Sequence, residues 1–331
     1  MDLSYRNRYK LEDLEYLNEL LKSNLSFKIC LGIIKSPQNE KITNSLLEEL
    51  DSGKTIDEVI YRYLPIRIVP YLKSLMKNLS FQKSLELALS FIRKTKENIE
   101  KLRKDLTYPL VLIFVSMTAL FLFDAFGLDT IINMLKGINT NPYSINVFRV
   151  ILRGLIYIFY TSLLFLLIMT LYFLKPKRIT LFYILVCKYL KGNFLKIYFT
   201  EEFVSLFIIT SKFGYHTKES LEILKSLDNK PIISFMAFHI DDELLGGLSL
   251  KEATSIIYFD PMFCKFINIA SYTNNFTGIL ENYVSLSLKK IKNKTAFYTK
   301  VISAISYLVI GIMVIFVYQV LFLPMRAISN F

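Results

Sequence analysis

The residues that could carry chemistry in this chain are few and scattered. The most suggestive segment is Ser52–Thr55 (SGKT), which matches the end of the phosphate-binding pattern GxxxxGK[ST]. That pattern needs a glycine at position 48 and a strand before it, whereas the chain has Glu48 in a segment with a helical pattern. We therefore predict no nucleotide site here.

The remaining candidates for metal or acid–base chemistry are also isolated. His216 and His239 have no cysteine or carboxylate at a metal-ligand spacing, and His216 is predicted to lie in a solvated turn. The acidic cluster Asp241–Glu243 could hold a cation, but a solvated loop or a helix N-terminus, which favours carboxylates, accounts for it more simply. The three cysteines form no CxxC pair. We predict no catalytic site, no metal and no cofactor.

The elements around these residues are helical and largely apolar. Hydrophobic residues make up 53% of the 331 positions, with only 11 glycines and 9 prolines to break helices. Three runs carry no charge: Leu106–Phe123, Gly154–Leu174 and Val301–Met325. Because about 20 apolar residues span a bilayer as a helix, the runs predict three transmembrane helices. The first run is short enough that a buried helix of a soluble core remains an alternative.

The basic residues predict the orientation of these helices. The segments 93–104, 175–196 and 289–300 carry six, six and five lysines and arginines. Four lie on the opposite side, namely Lys136, Arg149, Arg153 and Arg326. Since cytoplasmic flanks are enriched in Lys and Arg, we expect a multi-pass protein of the cytoplasmic membrane with its N-terminus in the cytoplasm.

The predicted order of segments follows from these runs and flanks. It is a cytoplasmic helical domain at 1–105, a transmembrane helix at 106–123, an extracytoplasmic loop at 124–153, a second transmembrane helix at 154–174, a second cytoplasmic domain at 175–300, a third transmembrane helix at 301–325 and an extracytoplasmic tail at 326–331.

The net charge of +12 does not require a nucleic acid partner. The basic excess gathers at the predicted membrane borders, where anionic lipid attracts Lys and Arg. We therefore predict anionic lipid as a partner and no direct sequence-specific binding of nucleic acid.

The chain also contains an internal repeat. ELDSGKTIDEVI (49–60) is echoed by ELLGGLSLKEAT (243–254) when the two segments are aligned on their glycines. Upstream, Asn24 corresponds to Gly214 at an offset of 190 residues, and these residue types most readily take the left-handed conformation that ends a helix. Both copies therefore predict a helix, a tight turn and a second helix.

Each copy of the repeated phrase has the residues of a capping box. In such a box a hydroxyl accepts from a backbone N–H, and a glutamate three residues later reaches back to the cap residue's own N–H. A glycine two residues earlier lets the chain turn sharply. The residues concerned are Gly53, Thr55 and Glu58 in the first copy and Gly247, Ser249 and Glu252 in the second.

The repeat predicts the topology. Two copies, each a cytoplasmic domain followed by an outward span, need one further span to return the chain. The sequence therefore predicts an all-α polytopic membrane protein with two repeated cytoplasmic helical-bundle domains and three transmembrane helices.

The order of these motifs resembles the type II secretion F / type IV pilus platform family, and within it the ComGB-like competence proteins of Gram-positive bacteria. Beside the repeated phrase, Tyr108-Pro109 opens the first span and Pro324 lies near the end of the last. The family's G-E-x-S-G-x-L signature is altered in both copies: the segment 274–280 keeps Gly278 but lacks the glutamate, and 79–85 lacks both.

The resemblance implies a function. Members of this family are non-enzymatic platforms that form homo-oligomers, as dimers, and couple a cytoplasmic assembly ATPase to the extraction of pilin-like subunits from the membrane. In competence systems the product serves DNA uptake. Two other classes stay open at this point: a membrane subunit of a transporter driven by an external ATPase, and a membrane-tethered enzyme.

Overall fold

The structure is a computed structural model that describes residues 8–137, 143–173, 175–190, 194–273 and 275–329. Within these ranges it is helical and contains no strand, which confirms the predicted all-α class. The chain forms two compact units, one of residues 1–98 and 175–291 and one of residues 99–174 and 292–331.

The described part of the first 122 residues forms six helices, and a 3-10 turn at Ile60–Arg62 follows the fourth. They are α1 (Leu11–Lys22), α2 (Phe27–Ile34), α3 (Glu40–Asp51), α4 (Ile56–Val59), α5 (Val69–Leu75) and α6 (Phe81–Leu122). Since α3 precedes Gly53, the SGKT segment follows a helix and not the strand that a phosphate-binding loop needs.

Nine more helices complete the described chain, after a π-helical segment at Phe123–Gly127. They are α7 (Leu128–Gly137), α8 (Tyr143–Tyr172), α9 (Pro176–Tyr189), α10 (Phe194–Lys212), α11 (Thr217–Lys225), α12 (Pro231–Leu245), α13 (Leu250–Thr254), α14 (Pro261–Ala270) and α15 (Phe276–Ser329).

The first unit has two halves whose helices follow in the same order. We call residues 8–98 the N-half, which holds α1 to the start of α6, and residues 194–291 the C-half, which holds α10 to the start of α15. The turn after α1 and the turn after α10 are 190 residues apart, and the starts of α6 and α15 are 195 residues apart. The long helices α6 and α15 therefore begin at corresponding points of the two halves.

The two halves share a hydrophobic core. Their buried side chains form one cluster, to which the N-half contributes Leu72 and Phe91 and the C-half Phe203 and Met236. Helix α10 is buried on nearly all sides, and it accordingly shows no amphipathic pattern in its sequence. Of the segments predicted as two helical domains, residues 1–98 and 175–291 thus lie in one compact unit, whereas 99–105 and 292–300 belong to the second unit.

Three helical ranges are long and apolar enough to cross a membrane: Thr107–Thr130, Arg149–Tyr172 and Phe276–Ile312. This confirms the predicted number of candidate spans. In the third range, residues 276–291 belong to the first unit, where Tyr283 is completely buried, so the part of α15 that could cross a membrane follows them.

The segments predicted between and after the spans are described in part. The predicted loop at 124–153 holds the π-helical segment, α7 and the start of α8, and its residues 138–142 lie outside the described residues. In the predicted tail at 326–331, α15 continues to Ser329, and residues 330–331 lie outside the described residues.

Candidate functional site: charged contacts between the two halves

Four of the residues singled out by the repeat have a positive φ angle, the region that favours glycine and asparagine. Asn24 (φ 57°) follows α1 and Gly214 (φ 85°) follows α10. Gly53 follows α3 and Gly247 follows α12, both with φ of 88°. The same backbone turn therefore occurs at each pair of corresponding positions.

The hydroxyl residues of the repeat begin the short helices α4 and α13 with capping boxes. The backbone N–H of Thr55 donates to Oε2 of Glu58 at 2.8 Å. In the second copy, the N–H of Ser249 donates to Oε2 of Glu252 at 2.8 Å, and the N–H of Glu252 donates to Ser249 Oγ at 3.3 Å. Hydrogen bonds from the Ser249 hydroxyl and then its backbone N–H lower the pKa of Glu252.

The other residues marked by the family resemblance lie within or at the start of the long helices. Tyr108 and Pro109 are inside α6, and Pro324 is in the last turns of α15. Gly278 lies in the first turn of α15, where its N–H donates to Asn275 Oδ1 at 3.1 Å. Of these residues, only Gly278 lies at a helix start.

His216 is the N-cap of α11, where its backbone N–H donates to Glu219 Oε2 at 2.9 Å. The prediction that Asp241–Glu243 form a loop or a helix N-terminus was wrong, because these residues lie in the last turns of α12. Carboxylates are unfavourable at that end of a helix. Asp241 is tolerated there because the ammonium group of Lys225 pairs with it.

The charged residues that join the two halves were not anticipated from the sequence. Glu201, on α10 of the C-half, has no exposed surface. Its carboxylate accepts a hydrogen bond from Ser205 Oγ at 2.8 Å and lies 3.2 Å from Nζ of Lys94, on α6 of the N-half. A buried ion pair therefore crosses between the halves.

A second buried pair lies beside the first. Glu202 is 4% exposed and binds the ammonium group of Lys230, which caps α12. Tyr71, on α5 of the N-half, also acts electrostatically on this lysine. Burial alone would lower the pKa of Lys230, but Glu202 and Tyr71 outweigh it and raise the pKa, so the lysine is held in its charged form.

The edge of this interface is polar, and its ion pair is exposed. The backbone N–H of Asp228 donates to Ser74 Oγ at 3.3 Å, and the Asp228 carboxylate lies 3.2 Å from Lys77 Nζ. We call the whole set the inter-half network. It comprises Tyr71, Ser74, Lys77 and Lys94 of the N-half and Glu201, Glu202, Asp228 and Lys230 of the C-half.

The electrostatics of this network indicate a structural role. Burial raises the pKa of Glu201 more than Lys94 and Ser205 lower it, so ionising this carboxyl is costly in the folded protein. A buried ion pair is weak evidence for stability, but a half-broken pair is strongly destabilising. The network thus joins the two halves through charges that are costly to separate.

One sequence feature could have pointed to this site. Glu201 and Glu202 are adjacent acids in the largely apolar segment FTEEFVSLF. In a helix whose other residues are apolar, two successive side chains cannot both face water, so adjacent acids there indicate partners inside the protein. The partners Lys94 and Lys230 carry no such signal, because they lie in segments rich in basic residues or next to a turn.

The second unit contains a separate cluster of charges. Asp124, in the π-helical segment, is 8% exposed and accepts from Nε of Arg149 and of Arg153 at 3.2 and 2.9 Å. Arg149 also donates to Asp129 at 2.7 Å. Two of the four basic residues predicted outside the membrane are thus paired with acids, and they lie within the candidate spans.

The comparisons with known proteins address part of this architecture. Residues 203–324 match the family model described as Type II secretion system (T2SS), protein F. The matched range covers about half of α10, all of α11 to α14 and most of α15. A comparison with curated proteins gives no match. The family match supports the resemblance to the type II secretion F / type IV pilus platform family, and with three apolar helices it fits a multi-pass protein of the inner membrane.

Proposed function

We propose that this chain is a non-enzymatic platform protein of the cytoplasmic membrane in a pilus-like assembly machine of the type II secretion class. The observation that carries the proposal is the protein F match at residues 203–324, which contains residues 203–291 of the C-half and the third candidate span. A platform needs a folded domain anchored by membrane helices, and this range supplies both.

The N-half would be a second copy of the matched domain. Its helices follow in the same order, its turns at Asn24 and Gly53 have the same sign of φ as those at Gly214 and Gly247, and its α4 starts with the same capping box as α13. Duplication accounts for the three candidate spans, because two parallel copies need one returning helix between them.

The partners would be a cytoplasmic assembly ATPase on the first unit, pilin-like subunits beside the membrane helices, anionic lipid at the basic borders and a second copy of the chain. The N-terminus and the first unit would lie in the cytoplasm. In a competence system the assembled filament would serve DNA uptake, as the ComGB-like resemblance implies.

The inter-half network would make the first unit respond as one body. If the ATPase moves one half, the buried pairs of Glu201 with Lys94 and Glu202 with Lys230 oppose separation of the halves, because a separated pair leaves a buried charge without its partner. Helices α6 and α15, which leave the N-half and the C-half without interruption, would carry that movement onward.

A pull-down tests the proposed partner directly. The full-length chain, purified in detergent, should retain an assembly ATPase encoded in the same genome, and the K94A variant should retain less because its halves are less firmly docked. Rapid solute flux in liposomes containing the chain, without any retention of the ATPase, would instead favour a transporter subunit.

A further inference from the structure

Helix α9 presents an apolar face that no described residue of the first unit covers. Leu181, Leu185 and Tyr189 lie four residues apart on one side of the helix, and their exposed fractions are 60%, 53% and 74%. Large apolar side chains aligned on one exposed helix face are typical of an interaction site.

The opposite face of α9 fixes the helix in place. Tyr183 and Cys187, also four residues apart, are buried in the core of the first unit. The Tyr183 hydroxyl donates to the backbone carbonyl of Tyr258 at 2.6 Å, and its ring packs edge-on against Phe199. Because α9 cannot rotate without breaking these contacts, the apolar stripe stays directed away from the core.

The surroundings of the stripe are those of a lipid interface. α9 contains no acidic residue, and the exposed Lys175, Lys177 and Lys188 flank the stripe. Nζ of Lys188 lies 6.0 Å from the centre of the Tyr189 ring, which brings a cation and an amphipathic aromatic together at one end. Lysine with tyrosine beside leucine is the composition of helices that lie in the plane of an anionic membrane surface.

The chain itself supplies the tether. The second candidate span ends at Tyr172, and only residues 173–175 precede α9. At no more than about 3.6 Å per residue, this linker keeps the start of α9 within roughly 15 Å of the end of the span. A helix held so close to a bilayer meets lipid before any dissolved partner.

We propose that α9 is an interfacial membrane helix, with Leu181, Leu185 and Tyr189 among the acyl chains and its lysines at anionic head groups. The occupant of this face is lipid, and not a second protein chain. The inference rests on the membrane location contained in the proposed function, and it does not depend on the role in pilus assembly.

The experiment uses the absence of tryptophan from the chain, which makes any introduced tryptophan the sole reporter. L185W and Y189W are made in the full-length protein and reconstituted into vesicles of phosphatidylglycerol and phosphatidylcholine with brominated acyl chains, which quench tryptophan on contact. Two controls match them: Y157W, exposed on α8 within the second candidate span, and Y16W, exposed on α1.

We expect lipid brominated near the head group to quench the fluorescence of L185W and Y189W at least about twofold more than that of Y16W, since an interfacial helix buries its apolar face roughly 5–10 Å deep. Vesicles of phosphatidylcholine alone should reduce this quenching without changing that of Y157W. Equal quenching in both kinds of vesicle would show that α9 binds the membrane without help from anionic head groups, which contradicts that part of the proposal.

Two results would overturn the whole inference. One is quenching of L185W by dissolved iodide, as for Y16W, with none by brominated lipid. The other is protection of L185W from both quenchers, which would mean that protein covers the face. In either case strong lipid quenching of Y157W would leave the membrane location and the proposed function intact, whereas loss of that signal would remove both.

Discussion

The ammonium nitrogen of Lys94 lies 3.2 Å from the carboxylate of Glu201, and this contact joins α6 of the N-half to α10 of the C-half. Glu201 is fully buried, whereas the side chain of Lys94 keeps 20% of its surface exposed. Since these helices belong to different halves, the pair forms only when the halves are docked. The stability of the first unit therefore depends on a charge that each half supplies to the other.

The first prediction concerns loss of one partner. K94A should lower the free energy of unfolding by about 3 kcal/mol, because it leaves the Glu201 carboxylate buried without its cation. The matched control is K77A, which removes a lysine from the exposed pair with Asp228 and should cost less than about 1 kcal/mol. Unfolding in detergent by denaturant, followed by circular dichroism, measures both, and equal losses would contradict the structural role of Lys94.

The second prediction concerns rescue. E201Q should cost less than K94A, because the amide keeps a hydrogen bond with Ser205 and the Lys94 side chain, which is 20% exposed, can turn its charge toward water. The double variant K94A/E201Q should recover most of the stability lost in K94A, since no buried carboxylate remains. If the double variant instead loses as much stability as K94A and E201Q together, the destabilisation by K94A comes from lost packing and not from the unpaired charge of Glu201.

The third prediction follows from the raised pKa of Glu201. A carboxyl whose folded pKa lies above its unfolded value of about 4.5 contributes stability that is complete below pH 4.5 and is lost as the pH rises through the folded pKa. Without Lys94 the folded pKa of Glu201 should rise further, so K94A should lose more stability than the unmodified protein as the pH increases. The deficit of K94A relative to the unmodified protein should grow as the pH increases from about 4.5, and it should nearly vanish at the acid end.

Unfolding series of both proteins at matched ionic strength measure this dependence, with E201Q as the control that has no titratable group at this position. A K94A deficit that stays constant over the whole pH range would exclude Glu201 as its source.

The sequence was sufficient for features that depend on neighbours along the chain. The absence of charge in three runs predicts the number of candidate spans, and glycine or asparagine at positions 24, 53, 214 and 247 coincides with turns that need positive φ. Long-range contacts were not predictable, because Lys94 and Glu201 meet only after two halves have docked. The pairing of Asp124 with Arg153 was not predicted either. Because the uncharged run ends at Phe123, the sequence placed both residues in the loop at 124–153 and gave no reason to pair them.

The fourth prediction concerns the glycines of the repeated phrase. G53A and G247A should each destabilise the first unit by about 1 kcal/mol or more, because a Cβ is unfavourable at a φ of 88° even where no neighbouring atom obstructs it. The control is Gly32 within α2, where a Cβ also meets no atom and φ is ordinary; G32A should stabilise by up to about 1 kcal/mol.

If alanine destabilises the protein at positions 53 and 247 but stabilises it at position 32, the backbone conformation is the cause, because a Cβ meets no neighbouring atom at any of the three. Asparagine, which tolerates a left-handed turn, should lose less stability than alanine at both positions, and thermal unfolding of the full-length protein compares them. Equal losses for asparagine and alanine would mean that φ does not determine the effect.

The fifth prediction concerns the continuity of α6, which runs from Phe81 to Leu122. Replacement of Lys96, Glu97 and Asn98 by three glycines should interrupt the helix, at a cost near 1 kcal/mol per residue, and should block filament assembly if movement passes along it. Replacement by three alanines removes the same side chains but keeps the helix, so it should preserve assembly. Normal assembly in a folded triple-glycine variant would contradict the proposal that α6 transmits movement.

The measurement that tests the account most directly is a clean deletion of the gene, complemented by the unmodified protein, with pilin-like subunits blotted in membrane and surface fractions. A platform predicts that the deletion leaves the subunits in the membrane with none at the surface, that transformants are lost, and that complementation restores both. Subunits that reach the surface normally in the deletion strain, with an unchanged number of transformants, would contradict the platform function.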